Sequence, residues 1–164
     1  MYKILFVCHG NICRSPMAEF CMKDLIGKEG LSDRISVESA AVSSEEEGNP
    51  VYPPAARTLL EHGLSCEGKR ARKITPADYD RFDLIIGMDR SNIRRMGAVF
   101  GGDPKGKILR LLDFTDRPRD VEDPWFTGDF DGVWIDIEKG CKAALEQVKK
   151  RAQQSGAAGR NAQY

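Results

Sequence analysis

The pattern of apolar and polar residues predicts four short strands separated by helices. Apolar residues dominate four segments, at 2–7, 35–40, 82–88 and 106–112. The first and third segments are continuous apolar runs rather than alternating ones, which is typical of strands covered on both faces. We therefore expect these two strands to be buried between other layers of the protein.

A helical pattern follows each strand segment, at 15–30, 53–63, 89–101 and 129–151. The first begins with Ser-Pro, and the second begins with proline and ends with glycine, which are common at the ends of helices. The last contains a single apolar stripe, which indicates an amphipathic helix. The stripe consists of Phe130, Val133, Trp134, Ile137, Cys141, Leu145 and Val148.

The alternation of strands and helices predicts an α/β fold. Right-handed crossovers would produce a parallel sheet with helices on both faces. In such folds, ligands bind beyond the carboxyl ends of the strands. We predict one domain over residues 1–152 and a flexible tail over 153–164, because the sequence "QQSGAAGRNAQY" is low in complexity.

Charge and cysteine content narrow the possible partners and location. The chain of 164 residues has 25 Lys and Arg residues and 25 Asp and Glu residues, so no overall field selects nucleic acid or an anionic membrane. "MYKILFV" is too short for the apolar core of a signal peptide. Five irregularly spaced cysteines argue against a disulfide framework. We expect a cytoplasmic protein without nucleic-acid or membrane partners.

The stretch "VCHGNICRSP" (7–16) is the most unusual part of the sequence, because it crowds thiols, a histidine and an arginine after the first strand. Cys8, His9 and Cys13 could supply three zinc ligands, but no second Cys/His pair follows at usable spacing. We therefore predict neither a metal nor a cofactor. A disulfide between Cys8 and Cys13 is an alternative that the sequence allows under oxidising conditions.

A nucleophile facing an anion explains more of these residues. The backbone N–H groups of a loop between a strand and a helix can converge on an anion. Gly10 permits close approach of the backbone, and Asn11 tolerates left-handed conformations. Arg14 can bind two oxygens of a phosphate-like dianion. These positive surroundings favour the thiolate of Cys8, Ser15 could donate to it, and the thiolate could attack phosphorus in line.

The C-x5-R spacing followed by Ser-Pro, between a strand and a helix, resembles the low-molecular-weight protein tyrosine phosphatases. The resemblance extends from residue 2 to about residue 150. It implies a flavodoxin-like three-layer sandwich whose four-stranded parallel sheet carries helices on both faces. It also implies a bacterial-type phosphoric monoester hydrolase that acts on phosphotyrosine without metal, with Cys8 as nucleophile and Arg14 as phosphate clamp.

The resemblance implies roles for further residues. Ser15 would support the thiolate, Asn11 and Ser39 would maintain the shape of the loop, and Asp89 would brace Arg14. The residues expected to bind substrate are His9, Gly10, Asn11, Ile12, Cys13, Ser15, Trp125 and Phe126. Among them, His9 is expected at the rim and not to be essential. Cys13 is either a reversible disulfide partner that protects Cys8 or a small buried thiol.

The second half of the chemistry is predicted in "DVEDPWFTG" (120–128). Asp123, in the Asp-Pro pair, matches the general acid of the resembled family. The negative charges of Asp120 and Glu122 would favour its protonated form. The two aromatic residues after the proline could form a wall for an aromatic ring. The alternative is an acidic turn before the last helix.

Two positions depart from the resembled family. Glu45 stands where many relatives have an aromatic residue, and its charge should disfavour acidic peptides. Trp125 and Phe126 stand where eukaryotic relatives have a tyrosine pair that can be phosphorylated. The apolar wall would remain, but that regulatory switch would be absent.

Three other functions compete with phosphotyrosine hydrolysis. Protein arginine phosphatases have threonine where this chain has Ile12, and the larger apolar side chain favours an aromatic ester. Arsenate reductases need further cysteines after the third strand, and residues 82–100 contain none. A non-catalytic phosphate-binding module would lack Cys8 or Asp123. The expected ligands are phosphotyrosine peptides and phosphate, sulfate or vanadate-type oxyanions.

Overall fold

The computed structural model describes the backbone of residues 1–161 and the side chains of residues 1–151. Four strands form one parallel sheet in the order β2-β1-β3-β4. Their bounds are β1 Tyr2–Cys8, β2 Ile35–Ala41, β3 Leu84–Gly87 and β4 Ile108–Arg110. The predicted parallel α/β sheet is therefore confirmed, with the first and third strands at its centre.

Six α-helices and one 3-10 helix cover the sheet in the described residues. They are α1 Arg14–Lys28, α2 Pro53–Glu61, α3 Asp78–Arg81, α4 Arg90–Phe100, the 3-10 helix Leu111–Phe114, α5 Pro124–Thr127 and α6 Phe130–Asn161. In the part of the chain that the structure describes, no helix has the length and apolarity needed to cross a membrane.

Successive residues of β1 point to opposite faces of the sheet and so build two cores. Ile4 and Phe6 pack in the larger core, between the sheet and the helices α1, α2 and α6. Leu5 and Val7 pack in the smaller core, which includes Met96 of α4. Both faces of the sheet are therefore covered, as the continuous apolar run of β1 predicts.

The end of β4 differs from the prediction. The segment 106–112 was expected to be a strand, but only Ile108–Arg110 pairs with β3. The chain then turns into the 3-10 helix, which packs closely on α6. The contact is so close that a Cβ atom at Gly140 would collide with the side chain of Leu111. Burial of Leu111 against α6 therefore replaces a longer strand at the sheet edge.

The last helix also differs, since it runs to Asn161 rather than ending at 151. The flexible tail predicted for 153–164 stays a prediction, because the side chains from 152 onward and residues 162–164 lie outside the described part of the chain. The four-residue helices α3 and α5 were not predicted, because one turn is too short to produce a period in the sequence.

Two neighbouring strands end at the same edge of the sheet and position the site. β1 ends at Cys8 and leads into the loop before α1, whereas β3 ends at Gly87 and leads into α4. A Cβ at Gly87 would lie 2.9 Å from both Ile93 Cδ1 and Met96 Cε. Glycine at this position therefore lets α4 approach the end of the strand closely.

Candidate active site

A cavity of about 180 Å³ opens at the carboxyl end of β1. The loop that follows this strand supplies its floor, and two other loops supply its walls. The lining residues are Cys8, His9, Gly10, Ile12, Cys13, Arg14, Glu45, Glu46, Asp123, Trp125 and Phe126. The fold thus brings the cysteine loop together with the predicted acid segment, which lies more than 100 residues later in the chain.

The loop between β1 and α1 curves around Asn11, whose φ of 58° lies in the left-handed region. The predicted left-handed conformation is therefore confirmed, and asparagine is one of the few side chains that adopts it readily. Among the described residues, the N–H groups of Gly10, Ile12 and Cys13 donate to no other protein group. These groups and the start of α1 are available to bind an anion.

The Cys8 sulfur makes two hydrogen-bond contacts. The backbone N–H of Asn11 lies 3.3 Å from Cys8 Sγ, and Ser15 Oγ lies 3.0 Å from it. Asn11 Nδ2 donates to Ser15 Oγ at 2.8 Å, which leaves the serine hydroxyl proton free to turn towards the sulfur or towards the carbonyl of Ala40 at 3.5 Å. The backbone N–H of Asn11 and the Ser15 hydroxyl therefore hold the sulfur at the base of the loop.

The network continues beneath the loop into the protein interior. Asn11 Nδ2 also donates to Ser39 Oγ at 2.9 Å, and Ser39 Oγ donates to Glu19 Oε1 at 2.6 Å. The carboxylate of Glu19 is buried and pairs with Lys69 at 3.1 Å and Lys23 at 2.6 Å. Burial opposes its charge, but these two lysines and the Ser39 hydroxyl outweigh burial and lower the pKa of Glu19.

Arg14, the first residue of α1, is buried and held on one side by two acceptors. Its Nη1 donates to Asp89 Oδ2 at 2.7 Å and to the carbonyl of Val121 at 2.9 Å. Burial opposes its charge, but the neighbouring Cys8 and the bond to Asp89 outweigh burial and raise the pKa of the guanidinium. Arg14 is therefore a fixed cation beside the thiol.

Asp89 has two functions at the end of β3. Its Oδ1 accepts the N–H of Asn92 at 2.8 Å and so caps α4, while its Oδ2 accepts from Arg14. Asn92 returns the bond by accepting the N–H of Asp89 at 3.2 Å. The predicted brace of Arg14 is thus built into a helix cap.

Asp123 lies at the edge of the cavity, beside the arginine. Its Oδ2 is 3.6 Å from Arg14 Nη2, and its Oδ1 accepts the N–H of Trp125 at 3.1 Å, which caps α5. Asp120, whose charge was expected to act on this carboxylate, pairs with Arg110 at 2.8 Å, and its influence on Asp123 stays a prediction. Glu122 is exposed, and water screens its charge.

One wall of the cavity is aromatic and largely exposed. The exposed fractions of Trp125 and Phe126 are 54% and 83%. Trp125 packs on Tyr52, with ring centroids 4.8 Å apart, and Tyr52 also contacts Phe130 at 6.0 Å. Tyr52, which sequence reasoning did not single out, therefore supports the wall from behind.

Another part of the cavity wall is acidic. Glu45 and Glu46 line it, and His9 Nε2 lies 3.1 Å from Glu45 Oε2. His9 Nδ1 lies 2.8 Å from Arg95 Nη1. A guanidinium can only donate, so Nδ1 accepts and Nε2 carries the proton that is donated to Glu45. His9 is therefore a rim residue, as predicted, and it joins the acidic wall to α4.

The remaining cysteines are distinct from Cys8 in their surroundings. Cys13 is buried at the cavity, and burial together with the charge of Cys8 raises the pKa of its thiol, so it stays protonated. Cys21 and Cys141 are buried between α1 and α6, and Cys66 lies partly exposed. Among residues 1–151, no group of three or more His, Cys, Asp or Glu side chains could hold a metal ion.

The predicted site residues fall into two groups. Those that line the cavity include His9, Gly10, Ile12, Cys13, Trp125 and Phe126. Asn11 and Ser15, which were expected to bind substrate, do not line it, because their side chains join the network beneath the loop. Sequence reasoning missed Glu19, Lys69 and the Val121 carbonyl. For Glu19 a signal existed, since it follows Ser15 by four residues on one helix.

Comparison with protein families matches residues 3–154 to "Low molecular weight phosphotyrosine protein phosphatase". The chain belongs to this family. Its relatives include the low molecular weight protein-tyrosine-phosphatase YfkJ of Bacillus subtilis, which is 40% identical over 93% of this chain and 99% of the relative. The family member from Sus scrofa is 37% identical over 89% of this chain and 95% of the relative.

Solved structures of the family superpose on the whole domain. The crystal structure of YfkJ gives a TM-score of 0.89 at 40% identity, covering 92% of this chain and 96% of that chain. The structure of a Drosophila arginine phosphatase gives a TM-score of 0.81 at 35% identity, covering 90% of this chain and 98% of that chain. The predicted family and fold class are therefore confirmed.

Proposed function

We propose that this protein is a protein tyrosine phosphatase that hydrolyses phosphotyrosine monoesters in proteins or peptides through a cysteinyl-phosphate intermediate. One observation carries the proposal: the Cys8 thiol, the Arg14 guanidinium and the Asp123 carboxylate meet at one cavity that has an aromatic wall. Nucleophile, cation and acid are the three groups that this chemistry requires.

In the first step, the Cys8 thiolate attacks phosphorus, and an S–P bond forms as the P–O bond to tyrosine breaks. Asn11 N–H and the Ser15 hydroxyl hold the sulfur in place. Because Asp89 and Val121 occupy Nη1 of Arg14, its Nε and Nη2 are left to bind two phosphate oxygens. The N–H groups of the loop bind the charge that develops on the oxygens.

Asp123 acts twice. As the acid it donates its proton to the departing tyrosine oxygen. As the carboxylate it then takes a proton from the water that attacks phosphorus, the S–P bond breaks, and the thiolate and inorganic phosphate are released. A distance of 3.6 Å between its Oδ2 and Arg14 Nη2 supports both roles, because that nitrogen would bind a phosphate oxygen.

The cavity supports an aromatic ester as substrate. Trp125 and Phe126 offer apolar faces to a tyrosine ring, and Ile12 adds an apolar side chain to the floor. Hydrolysis of phosphoarginine is the second candidate, because a relative of 35% identity is named as an arginine phosphatase. A cytoplasmic location belongs to the proposal, on the basis of five free cysteines.

The decisive experiment compares phosphate release from peptides of one sequence that carry phosphotyrosine, phosphoserine or phosphoarginine. A chelator and a reductant are present, and wild type, Cys8→Ser and Cys66→Ser are tested. We expect phosphotyrosine turnover that Cys8→Ser abolishes and Cys66→Ser retains. Preference for phosphoarginine would replace the substrate but keep the mechanism. Tight phosphate binding without any turnover would indicate a binding module instead.

The role of Asp123 is tested with Asp123→Asn. We expect kcat/KM for a phosphotyrosine peptide to fall by about 10²–10⁴-fold, the usual contribution of a general acid. Aryl phosphates with strongly acidic phenols should lose much less, because their leaving groups need no proton. An equal loss for all leaving groups would contradict the role.

A further inference from the structure

The segment that carries Asp123 has no regular secondary structure between Thr115 and the start of α5, yet it must hold a proton donor in place. We propose that Arg110 and Asp120 are positioning residues that fix this segment, and through it both Arg14 and Asp123. This inference rests on the proposed phosphatase function. Neither residue lines the cavity.

The contacts of the pair are direct. Asp120 Oδ1 accepts from Arg110 Nη1 at 2.8 Å and from the backbone N–H of Arg90 at 3.1 Å. Nε and Nη2 of Arg110 lie 3.1 Å and 2.9 Å from Asp113 Oδ1. The side chain of Arg110 is only 11% exposed, whereas that of Asp120 is 46% exposed, so the guanidinium is the firmly held member of the pair.

Each acceptor of Arg14 Nη1 is next in sequence to Asp120 or to Arg90, whose N–H Asp120 accepts. Asp120 precedes Val121, which is fully buried, donates its N–H to the carbonyl of Met88 at 2.9 Å and accepts from Arg14. The N–H that Asp120 accepts belongs to Arg90, which follows Asp89, the other acceptor of Arg14. Asp120 therefore ties together the two backbone segments that hold the guanidinium.

The same pair defines the position of the acid. Two residues separate Asp120 from Asp123, and after Asp123 the chain becomes exposed at Trp125. The pair is thus the last strong ionic attachment before the acid. Movement of Asp120 would displace the Asp123 carboxylate from the leaving oxygen, and a misplacement of about 1 Å can cost up to about 10²-fold in rate.

The test measures kcat/KM of Asp120→Asn and Arg110→Gln for a series of aryl phosphates whose phenols differ in acidity. We expect a loss of about 10- to 100-fold for phenyl phosphate and a clearly smaller loss for nitrophenyl phosphate, so that the dependence on the leaving group becomes steeper. The double variant should lose little more than either single one, because the two side chains act as a unit.

Asp136→Asn is the matched control. It removes the ion pair of 2.7 Å between Asp136 of α6 and Arg119 of the same segment, and neither residue pairs with Arg14. We expect its dependence on the leaving group to equal that of the wild type. Arg110→Lys, which keeps the charge without the fork, should recover part of the loss and serves as the deciding variant if Arg110→Gln does not fold.

Thermal unfolding checks that the variants are folded to the same extent as the wild type. If kcat/KM of folded Asp120→Asn and Arg110→Gln then depends on the leaving group as in the wild type, the inference is overturned and the phosphatase function stays intact. Equal losses in Asp136→Asn would do the same, since they would indicate a purely structural effect. A wild-type protein that hydrolyses no aryl phosphate would instead overturn the proposed function, and this inference with it.

Discussion

The two sides of the cavity are held in different ways. On the Cys8 side, the loop residues are buried, and their polar side chains form one continuous hydrogen-bond network that reaches Glu19. On the Asp123 side, the chain is irregular, and its aromatic residues are largely exposed. The difference indicates that the Cys8 side is preorganised by a continuous buried network, whereas the Asp123 side depends on a few separate attachments, such as the pair of Arg110 and Asp120.

Arg14 lies where the two sides meet, and its replacement should have the largest effect. Arg14→Lys provides a charge but cannot contact Asp89, the Val121 carbonyl and a phosphate at once. We expect kcat/KM for a phosphotyrosine peptide to fall by about 10²–10³-fold.

Steady-state kinetics with Arg94→Lys, an exposed arginine of α4, as the control would check this. Retention of more than about a tenth of the activity would show that positive charge suffices and that the two parallel hydrogen bonds of a fixed guanidinium are not required.

Glu19→Gln tests the buried end of the hydrogen-bond network that begins at the cysteine loop. The amide keeps the size and the acceptor for Ser39 but leaves Lys69 and Lys23 without their carboxylate. We expect the free energy of unfolding to fall by about 2 kcal/mol at neutral pH. Urea denaturation measures the free energy of unfolding. The control is Glu138→Gln, which removes an exposed ion pair with Lys142 and should lower that free energy by less than about 0.5 kcal/mol.

The stabilisation from Glu19 also has a defined pH dependence. The pKa of Glu19 is lowered in the folded state, so its contribution is fully present above the pKa of an unfolded glutamate and is lost as the pH falls through the folded value. The difference between wild type and Glu19→Gln should therefore shrink on acidification. A difference that stays constant or grows would contradict the assigned cause.

The aromatic wall should give the smallest effects. Trp125 packs on Tyr52, whereas Phe126 is almost fully exposed, so the tryptophan is the better fixed surface for a substrate ring. We expect Trp125→Ala to raise KM for a phosphotyrosine peptide by roughly three- to tenfold, as the loss of one aromatic contact implies.

Phe126→Ala should raise KM by a smaller factor, and Ile135→Ala, at an exposed apolar position of α6, should not change it. Equal effects of the two aromatic variants would show that the packing on Tyr52 does not matter.

Much of the fold could be predicted because burial leaves a clear mark on the sequence. The apolar runs of β1 and β3 and the stripe of α6 result directly from the layers that cover them. The end of β4 could not be predicted, because Leu111 and Leu112 suit a strand equally well. Only the tertiary contact of Leu111 with α6 at Gly140 decides the turn.

The residues that carry the chemistry could be predicted from the sequence. The groups that hold those residues in place were harder to predict. The positions of Cys8 and Arg14 follow from one loop. The contribution of the Val121 carbonyl could not be predicted, because a backbone group leaves no mark on the sequence. The partner of Asp120 could not be predicted either, because Arg110 belongs to another element, β4, ten residues earlier in the chain.

The contacts of Arg14 also bear on how the protein is synthesised. The bond from Arg14 to the Val121 carbonyl spans 107 residues, and the bond to Asp89 spans 75. The nucleophile and the arginine leave the ribosome among the first residues, but the clamp cannot be fixed until most of the chain has emerged. A nascent chain therefore carries the cysteine loop without a working phosphate site, and catalytic competence arises only when synthesis is nearly complete.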